Sequence, residues 1–105
     1  MGTRSLMARK RKYSEERFGA TIERLMGEKS LTYRGLAAET GLSAGYLNHL
    51  VHGNRPVPSE DVVVRLAAAL GVEPAYFREH RLRVISNRLE EMPEMVDRLY
   101  KRLAV

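Results

Sequence analysis

The most informative segment of the chain is residues 32–53, TYRGLAAETGLSAGYLNHLVHG. Thr32 and Ser43 are favoured N-cap residues, and each precedes a short run with apolar residues at helical spacing. Gly41 follows the first run and Gly53 the second, and glycine is favoured just past a helix end. The segment is therefore predicted to form two short helices joined by a Gly-Leu-Ser turn, which is a helix-turn-helix.

The second of these helices, over about 44–52, is predicted to expose a polar face. Leu47 and Leu50 point inward, and at about 100° per residue a different set of residues occupies the opposite side. That set is Gly45, Asn48, His49 and His52. No acidic residue lies between Thr40 and Ser59. A narrow polar ridge without negative charge suits the major groove of DNA, where amide and imidazole groups can bond with base edges.

Four further helices are predicted around this unit, and no segment shows the alternation of a strand. Ser14 is expected to cap a first helix over 15–28, and Ser59 a fourth. Pro74 opens a fifth helix, and Pro93 interrupts it before a last one. The apolar face of the first helix consists of Phe18, Ile22, Leu25 and Met26, and the core face of the fourth of Val63, Leu66, Ala67 and Leu70. The apolar residues of the fifth helix are Phe77, Leu82, Ile85 and Leu89.

The charge of the chain is concentrated at its N-terminus. The 105 residues carry a net charge of +5. This equals the charge of residues 1–12 alone, since the rest of the chain has equal numbers of acidic and basic side chains. We predict a disordered basic arm over 1–13. Such an arm is an electrostatic handle for phosphate, although a merely solvated tail has the same composition.

Several classes of protein are excluded by composition. The chain has no cysteine, so disulfides, thiolate catalysis and cysteine-based zinc sites are ruled out. Its apolar runs are too short for a membrane span or a secretion signal, so a cytoplasmic location is expected. No paired carboxylates, nucleophile–base set or phosphate-cradling glycine loop is found. We expect neither an enzyme nor a bound cofactor or metal.

Residues 31–77 resemble the helix-turn-helix domain of the lambda-repressor/Cro type, also called the XRE family. The matching positions are Leu31-Thr32, Leu36-Ala37, Gly41-Leu42-Ser43, Leu47, Leu50, Gly53, Pro58-Ser59, Leu66-Ala67 and Leu70-Gly71-Val72. The resemblance implies an all-α protein, with a five- to six-helix lambda-repressor-like DNA-binding domain over 14–77. Residues 78–105 then form a short C-terminal helical extension, for which we predict a role in dimerisation.

The resemblance also implies which residues contact DNA. The base-reading positions are Ala44, Gly45, Asn48 and His49. Relatives often carry a long polar side chain at the first of these positions, where this chain has Ala44, so we place direct readout on Asn48 and His49. Ala44 retains a methyl contact with thymine and Gly45 a close backbone approach.

Phosphate contacts are implied at the two ends of the motif. Tyr33 stands where relatives often begin their second helix with glutamine. The implied phosphate-binding residues are Tyr33, Arg34, Ser43, Tyr46, Asn54 and Arg55. The basic arm, with Arg9, Lys10, Arg11 and Lys12, is expected to follow a phosphate strand or to enter an A·T-rich minor groove.

An apolar stripe near the C-terminus indicates a partner. Its residues are Leu89, Met92, Met95, Val96, Leu99, Tyr100 and Leu103. The stripe can fold back on the fifth helix, but we predict that it forms a homodimer interface, since relatives usually bind pseudo-palindromic operators as homodimers. The predicted function is a sequence-specific dimeric transcriptional regulator. Repression is favoured because occluding a promoter needs only tight binding. An antitoxin-like or other partner-binding module and a non-specific nucleic-acid-binding protein are the alternatives.

Overall fold

The computed structural model describes residues 13–104, and the regular secondary structure of that range is entirely helical. The elements are α1 (Phe18–Glu28), α2 (Tyr33–Thr40), α3 (Ala44–Val51), α4 (Glu60–Leu70), a 3-10 helix (Pro74–Tyr76), α5 (Arg78–Leu89) and α6 (Pro93–Ala104). The prediction of an all-α fold is therefore confirmed.

The caps and the turn of the helix-turn-helix are formed as predicted. The hydroxyl of Thr32 accepts a hydrogen bond from the backbone N–H of Gly35 at 3.0 Å. The hydroxyl of Ser43 accepts one from the N–H of Tyr46, also at 3.0 Å. Gly41 ends α2 with φ 78°, a left-handed conformation that favours glycine over any residue with a Cβ. Thr32 and Ser43 thus fix where α2 and α3 begin, and Gly41 fixes where α2 ends.

A single apolar core lies between α1, α2, α3, α4 and the residue that follows the 3-10 helix. Each element contributes at least one buried side chain. The fully buried apolar residues are Ile22, Leu36, Leu47, Val63, Leu66, Leu70 and Phe77. The ring of Phe77 lies 4.8 Å from that of Phe18, centroid to centroid. Burial of this size dominates the stability of a small domain and holds α3 rigidly against α1 and α2.

Gly19 allows α1 to cross the end of α3 at very short range. A Cβ atom built on Gly19 would lie 2.5 Å from the carbonyl oxygen of Leu50 and 2.6 Å from that of Val51. Both atoms belong to the backbone, so neither can move aside cheaply. The close crossing therefore requires glycine at this position, a role that the sequence did not reveal.

The first helix begins three residues later than predicted, and Ser14 is not its N-cap. Ser14 is buried, and its hydroxyl is 2.7 Å from the hydroxyl of Thr21. Its backbone N–H donates to the carbonyl of Tyr76 at 2.8 Å. Ser14 is therefore held in the core by residues distant in sequence, and α1 starts only at Phe18.

The N-terminus of α1 is instead capped from α5. Arg17 occupies the N-cap position without a side-chain cap, while the N–H of Phe18 donates to Oε2 of Glu79 at 3.1 Å. The side chain of Glu79 is only 18% exposed. A carboxylate at this end of a helix interacts favourably with the helix dipole, so Glu79 ties α5 to α1.

Replacing Glu79 by glutamine is expected to lower the free energy of unfolding by about 1–2 kcal/mol, because the charge at the end of α1 is removed. Urea unfolding followed by circular dichroism measures this. Glu23→Gln, on the exposed face of α1, is the matched control and is expected to change stability by less than about 0.5 kcal/mol. Equal effects of the two substitutions would contradict the capping role.

The predicted fifth helix is divided in two. The 3-10 helix over Pro74–Tyr76 is followed by Phe77 in an extended conformation, with φ −82° and ψ 129°, and α5 begins only at Arg78. This break turns the ring of Phe77 into the core.

Two apolar residues of the predicted fifth helix are on the surface. Leu82 is 55% exposed and Ile85 is 54% exposed. No residue of α5 or α6 is buried, although both helices carry large apolar side chains. Helical periodicity identifies the apolar face of a helix, but not the molecule that covers it.

The chain enters the domain at a fixed point next to α5. A guanidinium N–H of Arg81 donates to the carbonyl of Ser14 at 2.6 Å, and the guanidinium carbon lies 4.5 Å from the centre of the Tyr13 ring. Tyr13, assigned to the arm from sequence, is thus held against the domain. The rest of the predicted arm, including Arg9, Lys10, Arg11 and Lys12, lies outside the described residues.

Candidate nucleic-acid interface

Helix α3 presents the predicted polar ridge to the exterior. Leu47 and Leu50 bury one face of the helix, whereas Gly45, Asn48 and His49 are exposed on the other. A Cβ atom built on Gly45 would meet nothing within 4 Å, so this end of the ridge is open. Ala44 is half-buried beside it. Three of the four predicted base-reading positions are therefore freely accessible, and the fourth is partly so.

The last turn of α3 is fixed by His52, which the sequence placed on the polar face of this helix. Nδ1 of His52 lies 2.8 Å from the carbonyl oxygen of Asn48. Because a carbonyl only accepts, Nδ1 carries the hydrogen of this bond. The backbone N–H of Asn54 then donates to the carbonyl of His49 at 2.8 Å. These bonds close the end of the helix next to Asn48 and His49.

The residues predicted to contact phosphate differ in how much of each side chain is accessible. Arg34, Asn54 and Arg55 are exposed and free to reach outward. Tyr33 and Tyr46 are half-buried against the core, so only part of each side chain faces solvent. Ser43 is exposed, but its hydroxyl is used as the N-cap of α3. Its contribution to phosphate binding therefore falls to backbone N–H groups at the start of that helix.

Arg65 braces the turn of the motif from α4. One of its guanidinium N–H groups donates to the carbonyl of Thr40 at 2.8 Å, at the end of α2. Asp61 lies 3.6 Å from the same guanidinium. Arg65 is a positioning residue, since it holds the end of α2 and thereby the start of α3. No local pattern signals it, because the two partners are 25 positions apart.

The electrostatic environment of the ridge favours an anion. Within 41–58 the only formally charged side chain is Arg55, and Arg34 lies on the neighbouring helix. No group of three or more potential metal ligands occurs in residues 13–104. Nor does any helix of that range have the length and apolarity needed to cross a membrane. An acid-free, exposed helix on a helix-turn-helix is the arrangement of a DNA-binding regulator.

Comparison with known proteins assigns the family. A family model described as a helix-turn-helix domain matches residues 17–80, which is more than half of the chain. The chain therefore belongs to this helix-turn-helix domain family, a family of DNA-binding regulators rather than of enzymes. The resemblance to lambda-repressor/Cro type proteins is confirmed.

Three solved structures illustrate the relationship. The restriction-modification controller protein C.AhdI from Aeromonas hydrophila is 35% identical, with a TM-score of 0.51 over 54% of this chain and 85% of its own. SinR, a master regulator for biofilm formation solved in complex with DNA, is 25% identical, with a TM-score of 0.51 over 53% and 89%. The clp gene regulator ClgR from Corynebacterium glutamicum is 26% identical, with a TM-score of 0.52 over 79% and 85%. No curated protein sequence matches significantly.

Proposed function

We propose that this chain is a sequence-specific transcriptional regulator that binds a pseudo-palindromic operator as a homodimer and acts as a repressor. The observation that carries the proposal is the exposed ridge of Gly45, Asn48 and His49 on a helix whose opposite face is fully buried. A helix anchored in this way can enter the major groove without rearrangement. Asn48 is the main base-reading residue, since its amide can bond with the N6 and N7 atoms of adenine.

Contacts on either side of the ridge position the domain on the duplex. Arg34 contacts phosphate beside α2, and Asn54 and Arg55 contact it beyond the end of α3. Backbone N–H groups near Ser43 bind a further phosphate, helped by the positive end of the helix dipole. These contacts set register and orientation, while the ridge supplies sequence preference.

Homodimerisation is proposed through the C-terminal helices. The apolar side chains of this region are largely uncovered in the protomer, with Val96 40%, Tyr100 64% and Leu103 78% exposed. A helix of 12 residues is marginal when it stands alone in water. The proposed interface consists of Leu89, Met92, Met95, Val96, Leu99, Tyr100 and Leu103. Two copies joined there present two ridges to successive turns of one groove.

The decisive test is selection of bound sequences from a randomised duplex pool, repeated at several salt concentrations. A sequence-specific dimer enriches two related half-sites whose centres lie about 34–36 Å apart or a multiple of that spacing. Binding that depends on salt but enriches no sequence would overturn the proposal in favour of a non-specific nucleic-acid-binding protein. Transcription in vitro from a promoter that overlaps the selected site then tests repression.

Removing residues 1–12 is expected to flatten the salt dependence of DNA affinity while leaving the preferred sequence unchanged. Each phosphate contact contributes about 0.9 to the slope of log affinity against log salt. Loss of the five basic residues of one arm therefore lowers the slope by up to about 4.5, and loss of both arms of the dimer by up to about 9. The control keeps the length and replaces the five basic residues of the arm by glutamine. An unchanged slope in both variants would show that the arm does not contact DNA.

A partner-binding or antitoxin-like module is the second candidate function. The exposed C-terminal stripe favours it, because the same apolar surface would suit a different protein. Sedimentation of the purified chain separates the two ideas. A monomer at micromolar concentration would favour a heterologous partner, whereas a stable dimer supports the regulator proposed above.

A further inference from the structure

The apolar stripe of α6 has a self-complementary arrangement. Six of the seven stripe residues lie symmetrically about the point midway between Asp97 and Arg98, and the seventh, Leu89, belongs to α5. Going outward from that point, the symmetric pairs are Val96 and Leu99, Met95 and Tyr100, and Met92 and Leu103. Five of these six residues lie in α6, which spans Pro93–Ala104, and Met92 directly precedes it. The carbonyl of Met92 accepts a hydrogen bond from the N–H of Val96 at 3.0 Å, which joins Met92 to the first turn. A helix with this symmetry matches an antiparallel copy of itself.

The charges along the same segment are segregated. Residues 90–97 carry four acidic side chains and no basic one, whereas residues 98–102 carry three basic side chains and no acidic one. An antiparallel pair brings the acidic half of each helix beside the basic half of its partner. A parallel pair would place like charges together at a helix separation of about 8–10 Å, within the Debye length at physiological salt. The helix dipoles also oppose each other favourably only in the antiparallel pair.

No part of the described protomer buries this stripe. Leu89 and Leu99 are half-buried, and the exposed fractions of the other members run from 36% for Met95 to 78% for Leu103. Tyr100, at 64%, is among the most exposed. The symmetric spacing of the apolar residues and the segregated charges are both complementary to the same helix running in the opposite direction. These two properties together favour a second copy of this chain over a different protein.

We infer that α6 packs antiparallel against α6 of a second copy, on a two-fold axis that passes between Asp97 and Arg98. Met92 of each copy then lies opposite the partner's Leu103, and Val96 opposite the partner's Leu99. This arrangement rests on the homodimer proposed above and specifies its geometry. It places the two C-terminal helices at the centre of the dimer, with one helix-turn-helix on either side.

Single cysteines test this geometry without background, because the chain has none of its own. Met92→Cys is introduced into one full-length chain and Leu103→Cys into another, and one of the two chains carries a size tag. Each variant is oxidised alone, and a mixture of the two is oxidised in parallel. In the antiparallel pair, position 92 faces position 103, whereas two copies of either position are about 16 Å apart along the axis. Disulfides need Cα atoms within about 7 Å. The expected result is a disulfide-linked dimer in the mixture and none in either variant alone.

The control pair is Glu94→Cys with Lys101→Cys, which has the same symmetry but lies on the opposite face of α6. It is expected to give no linked dimer. Self-linking of Met92→Cys or of Leu103→Cys would overturn the antiparallel arrangement, as would a dimer in sedimentation that forms no disulfide in the mixture. A monomer in sedimentation would overturn the proposed homodimer itself, so the two failures are distinguished.

Discussion

Replacing Gly19 by alanine is expected to lower the free energy of unfolding by about 3 kcal/mol, because the new methyl group overlaps backbone atoms at the crossing of α1 and α3. The added Cβ would lie 2.5 Å from the carbonyl oxygen of Leu50 and 2.6 Å from that of Val51. The helices must separate to relieve this overlap, which opens the core. Urea unfolding followed by circular dichroism measures the change, which is a large part of the roughly 5–15 kcal/mol that stabilises a typical domain.

Gly27→Ala is the matched control for this substitution. Gly27 lies in the same helix, and a Cβ atom built there would meet nothing within 4 Å. Without an overlap, alanine is expected to stabilise the protein by up to about 1 kcal/mol through its higher helix propensity. The two substitutions should therefore act in opposite directions. Stabilisation by Gly19→Ala would show that the crossing is looser than the structure indicates.

Replacing Asn48 or His49 by alanine is expected to weaken binding to the selected operator by about 1–3 kcal/mol each and to relax the sequence preference at one position of each half-site. The folded protein should remain equally stable, because both side chains are exposed on α3. Titration of the selected duplex and of single-base variants by fluorescence anisotropy measures both effects. A bound dimer carries each substitution twice, so the loss of binding free energy on a full operator is larger than the loss on a single half-site.

Asn87→Ala provides the control for this experiment. Asn87 is also an exposed asparagine on a helix, but it lies on α5, away from the helix-turn-helix. Its replacement should leave DNA affinity unchanged. If Asn48→Ala weakened binding equally on the operator and on random DNA, Asn48 would contact the backbone rather than a base, and the assigned role would be wrong.

Most of the fold was predictable because its signals are local. Thr32 and Ser43 accept hydrogen bonds from residues three positions ahead, and Gly41 takes its left-handed conformation next to the helix that it ends. Such bonds depend on neighbours in the sequence, so the residue types alone indicate them. The exposed side of α3 follows from the same reasoning, since Leu47 and Leu50 fix which face is buried.

The features that were not predicted depend on contacts between distant residues. Serine is a favoured N-cap residue, but Ser14 is buried and its hydroxyl lies beside that of Thr21. Arg65 donates a hydrogen bond to a backbone carbonyl of another helix, and Gly19 packs closely against two such carbonyls. A local sequence pattern does not indicate contacts between helices that are distant in the chain. Leu82 and Ile85 have core spacing but are exposed, because their face of α5 is not covered by the protomer.

The carboxylate that caps α1 also sets an order of events during synthesis. Glu79 follows Phe18 by 61 positions, so α1 leaves the ribosome long before its cap exists. At about 5–20 residues per second, the interval is roughly 3–12 s. During that time the segment around Ser14 also lacks the carbonyl of Tyr76 and the guanidinium of Arg81. The N-terminal end of α1 therefore receives its carboxylate cap only after α2, α3 and α4 have been made, and α5 supplies the last contacts of this part of the fold.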